Sequence, residues 1–246
     1  MTPRFLWLFI PSLKMCLGES QIQKRQVEQM KTKNRRNFCI PICMLMAFLL
    51  WTAAIQFVDV QAIGPRESTV GFATINHFVH NLTGVHMSLY TITDWLGLVP
   101  LMFIMGFGTL GLMQWIKRKH LFKVDYSILI LGGFYIVVMA IYVLFEMFVV
   151  NYRPVLIGGI LEASYPSSTT MLVMCVMPTA IMQFNVRIKN VILKRCVASV
   201  ITAFIIFMVI GRLVSGVHWF TDIIGGALLS AGLVLMYRAI INWSTF

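Results

Sequence analysis

The sequence predicts an all-α fold, a bundle of six transmembrane helices, and three observations lead to it. Of 246 residues, 59% are hydrophobic and only 12% charged, and the mean hydropathy is +0.82. A soluble domain averages about 45–50% apolar and about 25% charged residues, and one of this length has too little interior to hide the excess. The apolar residues also fall in runs of membrane-spanning length. Basic residues collect in alternate connections between those runs, as the positive-inside rule requires of a polytopic membrane protein.

The first span is expected over residues 38–58, directly after the basic run 24–36. The second covers 95–116 and ends on the basic stretch 117–123, which includes His120. The third covers 128–150 and stops before Arg153-Pro154, where proline disfavours a helical residue ahead of it. The fourth, 169–184, opens on Tyr165-Pro166-Ser167-Ser168-Thr169-Thr170 and is short. The fifth, 197–213, follows a third basic run at 187–195, and the sixth, 219–237, carries Gly225 and Gly226 for close packing on a neighbour. No linker divides residues 38–246, which read as one membrane domain without an internal repeat. Residues 1–37 read as a basic cytoplasmic leader, disordered or partly dispensable. Its apolar stretch 5–13 is interrupted by Pro11 and too short to span, and Met30 reads as a natural start.

The net charge of +11 excludes nothing by itself, but its distribution follows topology. The basic runs and Arg238 mark the cytoplasmic side and place both termini there. The bilayer is the partner this implies, and nucleic acid is not. A bacterial plasma membrane is the expected location. Connections 59–94, 151–168 and 215–218 then face outward, and in them or at their edges stand only Arg66, Arg153 and Arg212. An arginine on that side needs another explanation.

Five cysteines, Cys16, Cys39, Cys43, Cys175 and Cys196, lie in the leader or beside spans, so no disulfide framework is expected. His77, His80 and His86 share the first outer connection without an acidic or cysteine partner to complete a metal shell, and read as interfacial. Asn81-Leu82-Thr83 is a glycosylation sequon that matters only in a lumenal loop.

The stretch that carries chemistry runs from Gly211 to Gly226. His218 and Asp222 stand four residues apart and share one face of a helix. Asp222 near the start of the last span lies at the positive end of its dipole and can orient the imidazole. An oriented imidazole serves as nucleophile or general base. Arg212 supplies a planar fork for phosphoryl oxygens. The bland alternative is an interfacial His–Asp pair with a snorkelling arginine. Against it, Arg153-Pro154 and the start of the fourth span reach the same membrane depth. A helix beginning at Pro166, Ser167 and Ser168 presents free N–H groups to an anion.

These residues resemble the type 2 phosphatidic acid phosphatase and vanadium haloperoxidase superfamily. Its third motif is Ser-Arg, five residues, His, three residues, Asp, and matches Arg212, His218 and Asp222, with Gly211 in the serine place. The first motif, Lys, six residues, Arg-Pro, keeps Arg153-Pro154 but has Glu146 for lysine. The second, Pro-Ser-Gly-His, keeps Pro166 and Ser167 but has Ser168 and Thr169 for glycine and histidine. The resemblance spans roughly residues 95–240 and implies a phosphorylated membrane lipid as substrate and no metal or cofactor. It implies that Arg153, Ser167 and Arg212 hold phosphate, that His218 attacks phosphorus, and that Asp222 orients it. Thr169 stands where the family has its general acid, so Glu146, Ser168 and Thr169 are the accessory positions to watch. Glu146 is expected to pair with Arg153, two turns along the helix. Three functions fit: a lipid phosphatase favouring a polyprenyl diphosphate, a lipid phosphotransferase, and a catalytically silent relative that binds or moves a phosphorylated lipid.

Overall fold

The computed structural model of the protein describes residues 37–244. The leader, with Cys16 and the basic run 24–36, lies outside them. The chain divides into two units, Met1–Ile40 and Pro41–Phe246. Of the first, only residues 37–40 are described, and they are helical.

Six helical stretches among the described residues are long and apolar enough to cross a membrane, and the protein is an integral membrane protein of the expected all-α class. They are α1 (Asn37–Phe57), a broken second span made of α3 (Met87–Leu96) and α4 (Leu98–Arg118), α5 (Tyr126–Met147), α6 (Ser168–Arg187), α7 (Val191–Val214) and α8 (Phe220–Ser244). A short helix α2 (Ala73–Thr83) lies between α1 and α3.

The second span begins at Met87, ahead of the expected residue 95. Its polar first turns carry Ser88, Thr91, Thr93 and Asp94, which hide it from a hydropathy reading. The threonines satisfy themselves locally: Thr91 Oγ1 donates to Met87 O and Thr93 Oγ1 to Leu89 O. The break falls at Gly97, whose N–H is shared by Thr93 O and Asp94 O.

α6 and α8 form the interior. Half of the apolar window of each is buried, 50% in both, against 11% for the span Met87–Arg118. α6 packs mainly on α7 and α8, around Met171, Cys175, Val176, Leu229 and Tyr237. The outer helices turn large apolar side chains such as Leu50, Ile136 and Val200 outward, which in a membrane protein is the lipid-facing surface.

Both interhelical basic stretches lie at one end of this bundle, where Arg118 and Arg187 converge on Asp125 at 3.0 and 4.0 Å. A hydrogen bond from Gln114, then the Arg118 charge, holds the Asp125 carboxyl below its usual range. The opposite end, where α5 and α7 finish and α6 and α8 begin, holds the candidate site.

Candidate active site

Three connections at that end deliver the functional groups. The first, between α5 and α6, is a small hairpin that the sequence reading did not anticipate. Ile157 pairs with Ile160 and Tyr152 with Ala163, both antiparallel. The two residues at the tip are Gly158 and Gly159, both at positive φ (57° and 80°), as a type I′ turn demands. That Gly-Gly pair between isoleucines was the signal available. The hairpin fixes Arg153, whose N–H donates to Glu162 O, and Ser164, whose N–H donates to Asn151 O.

The second connection is the turn from α7 to α8. Gly216 has φ +69°, and a Cβ there would stand 1.9 Å from Gly84 O, so only glycine allows the 84–86 segment to lie against the turn. His86 N–H donates to Ser215 O from the same segment. His218 follows, 3% exposed. Asp222 sits in the first turn of α8 and accepts the Trp219 N–H at 2.8 Å, the reciprocal half of a capping box.

The third is the start of α6. Ser167 is its N-cap, fully buried, with Oγ unpartnered. Its N–H donates to Asp222 O at 3.1 Å, which locks the first turns of α6 and α8 together. The glycines of α8 make room for this: a Cβ on Gly225 would meet the Tyr165 ring at 2.4 Å and one on Gly226 would meet Ser167 O at 3.2 Å.

The groups converge on the His218 imidazole. Arg153 Nη1 and Arg212 Nη2 both lie 3.4 Å from its Nε2. Two guanidinium donors aimed at one nitrogen require that nitrogen to be an acceptor, so Nδ1 carries the proton. Burial, then the charges of Arg153 and Arg212, hold the His218 pKa well below the usual histidine range, and the ring is a neutral base at pH 7. On its other side Nδ1 lies 3.1 Å from Ser164 Oγ, and Ser164 Oγ in turn donates to Asp222 Oδ2 in a short hydrogen bond. Nδ1 and Asp222 Oδ2 are 3.8 Å apart. The orientation of the histidine by the aspartate therefore runs through a serine hydroxyl.

Arg212 is 1% exposed, and a buried guanidinium needs compensation. α3 supplies it from one face: the Tyr90 ring lies 5.0 Å from the guanidinium carbon, Thr93 Oγ1 is 3.4 Å from Nη1, and Asp94 Oδ1 is 3.6 Å from Nη1. Tyr90 also lies 5.9 Å from the Arg153 guanidinium carbon. Thr93 explains the glycine at 211 as well: a Cβ on Gly211 would come within 2.8 Å of Thr93 Cγ2. The Thr93 methyl from α3 takes up the space that a side chain at position 211 would need. None of these three residues was legible as functional, because they lie far along the chain in what reads as a loop.

One expectation is corrected. Arg153 does not pair with Glu146. α5 ends at Met147, so the helical register that would align the two positions is lost. Arg153 Nε pairs instead with Glu162 across the hairpin, at 3.1 Å. Glu146 and Ser168 line a cavity of about 10 Å³ with Ser164 and Tyr165, room for about one water. Thr169 lies in the first turn of α6, its Cγ2 3.6 Å from where a Cβ on Gly97 would be. Of the three arginines expected in outward-facing connections, Arg66 stays apart and donates to Gly159 O at 3.1 Å. His77 contacts Asn81, His80 lies tilted against Trp219, and the His86 side chain meets Thr83 O. These histidines do not contact His218.

Two buried arginines thus close on the free nitrogen of a neutral histidine, at one end of a membrane-embedded helical bundle. The family model of the PAP2 superfamily matches residues 101–246, and the chain belongs to that superfamily. The fold is similar to a crystal structure described as the first transmembrane PAP2-type phosphatidylglycerolphosphate phosphatase from Bacillus subtilis. The TM-score is 0.55 at 17% identity, covering 82% of this chain and 96% of that one. No curated protein matches the chain.

Proposed function

We propose that the protein is a membrane lipid phosphatase that removes the terminal phosphate of a lipid diphosphate, of the polyprenyl class, in preference to phosphatidate. The observation that carries this reading is the convergence of Arg153 Nη1 and Arg212 Nη2 on His218 Nε2. A terminal phosphate entering there exchanges those two weak contacts for charge-assisted ones and presents phosphorus to the nitrogen lone pair. Nε2 attacks, the bond from phosphorus to the bridging oxygen breaks, and the lipid monophosphate departs with the electron pair. The imidazole becomes cationic as the bond forms, and the Ser164–Asp222 chain behind Nδ1 stabilises that charge. Water then attacks phosphorus, the nitrogen–phosphorus bond breaks, and inorganic phosphate leaves with His218 neutral again.

The substrate preference follows from Thr169, which cannot donate a proton at neutral pH. An ester leaves as an alkoxide, whose conjugate acid resembles water with a pKa of about 15.7. A diphosphate leaves as a phosphate, whose second pKa is about 6, and needs no proton. The site faces the outer side of a bacterial plasma membrane, with both termini in the cytoplasm.

The test is phosphate release by purified protein from a polyprenyl diphosphate and from phosphatidate, with His218→Ala beside it. Faster diphosphate turnover and an inactive His218→Ala protein are expected. Equal rates on both substrates would remove the leaving-group argument, and an active His218→Ala protein would remove the mechanism. Binding without any release would favour the silent relative, and transfer of the phosphate to a second lipid the phosphotransferase.

A further inference from the structure

The second half of the proposed cycle asks for a group that the His218 cluster lacks. Attack of water on a phosphohistidine releases a proton, and the returning imidazole does not take it, because Nδ1 already carries one and Nε2 is the leaving atom. Asp222 faces the opposite side of the ring, beyond Ser164. Thr169 carries no base.

We propose that Asp94 accepts that proton, acting as the general base for dephosphorylation; this rests on the phosphohistidine reading above. Three observations place it. Its Oδ1 is 3.6 Å from Nη1 of Arg212, and Nη2 of the same guanidinium is 3.4 Å from His218 Nε2. The carboxylate therefore stands across the Arg212 guanidinium from the nitrogen that would hold the phosphoryl group. Its side chain is 58% exposed while that of its partner Arg212 is 1% exposed, so it borders the water supply of an otherwise buried cluster. Gly97, one helical turn after Asp94, lies against Thr169.

The step balances without any added reactant. The water oxygen bonds to phosphorus, the nitrogen–phosphorus bond breaks with its pair returning to Nε2, and the water proton passes to the Asp94 carboxylate and on to solvent. Arg212 has two roles in this arrangement: it binds the phosphoryl oxygens through Nη2 and fixes the base through Nη1. The base has no part in the first half-reaction, where a diphosphate leaves unprotonated.

The experiment is rapid-quench trapping with a polyprenyl diphosphate labelled in its terminal phosphate, on the native protein, Asp94→Asn and Asp94→Ala. In Asp94→Asn the label should accumulate on protein as an acid-labile, alkali-stable phosphate, to a level well above native. Formation should stay within about tenfold of the native rate, and steady turnover should fall by about 10²–10⁴-fold, the usual reach of general acid–base catalysis. Formate should restore part of the turnover of Asp94→Ala by supplying a carboxylate in the vacated place. If turnover falls with no rise in trapped label and no formate rescue, Asp94 only holds Arg212 and the proposal is overturned, while label trapped on the native protein keeps the phosphohistidine reading. Native turnover in both variants also overturns it. If turnover proceeds yet no label is trapped on the native protein or on either variant, the phosphohistidine reading itself fails, and this proposal with it.

Discussion

Replacing Ser164 by alanine tests how His218 is held. The hydroxyl is 2% exposed, touches Nδ1 of His218 at 3.1 Å and donates to Asp222 Oδ2. It is the only hydrogen-bonded link between ring and carboxylate seen among the described residues, because their direct separation is 3.8 Å. Alanine deletes one neutral hydrogen bond and one to a charged group, and the second kind contributes about 1.5–3 kcal/mol. At about 1.36 kcal/mol per factor of ten in rate, kcat should fall by about 10–150-fold. KM should barely change, since Ser164 lies behind the ring and not at Nε2. Asp222→Asn should fall further, because it removes the charge itself. The double variant should be no slower than Asp222→Asn alone, as residues acting through one chain are non-additive. The assay is steady-state phosphate release from a polyprenyl diphosphate, with thermal melts to exclude misfolding. Native kcat in Ser164→Ala would mean that the ring turns and bonds Asp222 directly, and full additivity in the double variant would equally refute the relay.

Thr169→His should raise phosphatidate hydrolysis by about 10²–10⁴-fold and leave diphosphate hydrolysis little changed. A gain on both substrates alike would show that the leaving group is not what limits the native enzyme. For topology, a single cysteine at Ile160, on the exposed tip of the hairpin, should react with an impermeant thiol reagent added to intact cells. One at the exposed Lys119 should stay silent, with native thiols controlled for. The reverse pattern would turn the site toward the cytoplasm.

The fold was largely legible because its cause is one-dimensional. An apolar run long enough to cross a bilayer must be a helix there, since no water satisfies its backbone, and charge then sets the alternation. Where the cause was not one-dimensional, reading failed. In the first turns of the second span, Thr93 and Asp94 face Arg212 and do not belong to a loop. Tyr90, Thr93 and Asp94 acquire their meaning only when α3 packs on α7, more than a hundred residues later. The core of the site was legible for the opposite reason: Arg212, His218 and Asp222 lie within one turn-and-helix unit whose spacing is local. Arg153 was found by its lonely charge, and its partner was misassigned because helical spacing was carried past the end of α5. Ser164 gave no signal except the Gly158-Gly159 turn that aims its strand.

Two like charges held at one nitrogen need an account of why they stay there. Each guanidinium is compensated on the side away from His218: Arg153 by Glu162, Arg212 by Asp94 and Thr93, and both by the Tyr90 ring. A cation over an aromatic face contributes about 0.5–2 kcal/mol, more when desolvated. Stripping a buried cation of its partner costs about 3–5 kcal/mol. The compensation is incomplete on the inner side, where Nη1 of Arg153 and Nη2 of Arg212 find only a neutral imidazole, and the Ser167 Oγ has no partner at all. Folding therefore builds a cluster whose remaining donors are matched only by an anion. Burial, and after it the same unsatisfied donors that would bind a phosphoryl group, keep the His218 ring neutral, so anion affinity and a free nucleophilic lone pair arise from one buried arrangement of charge.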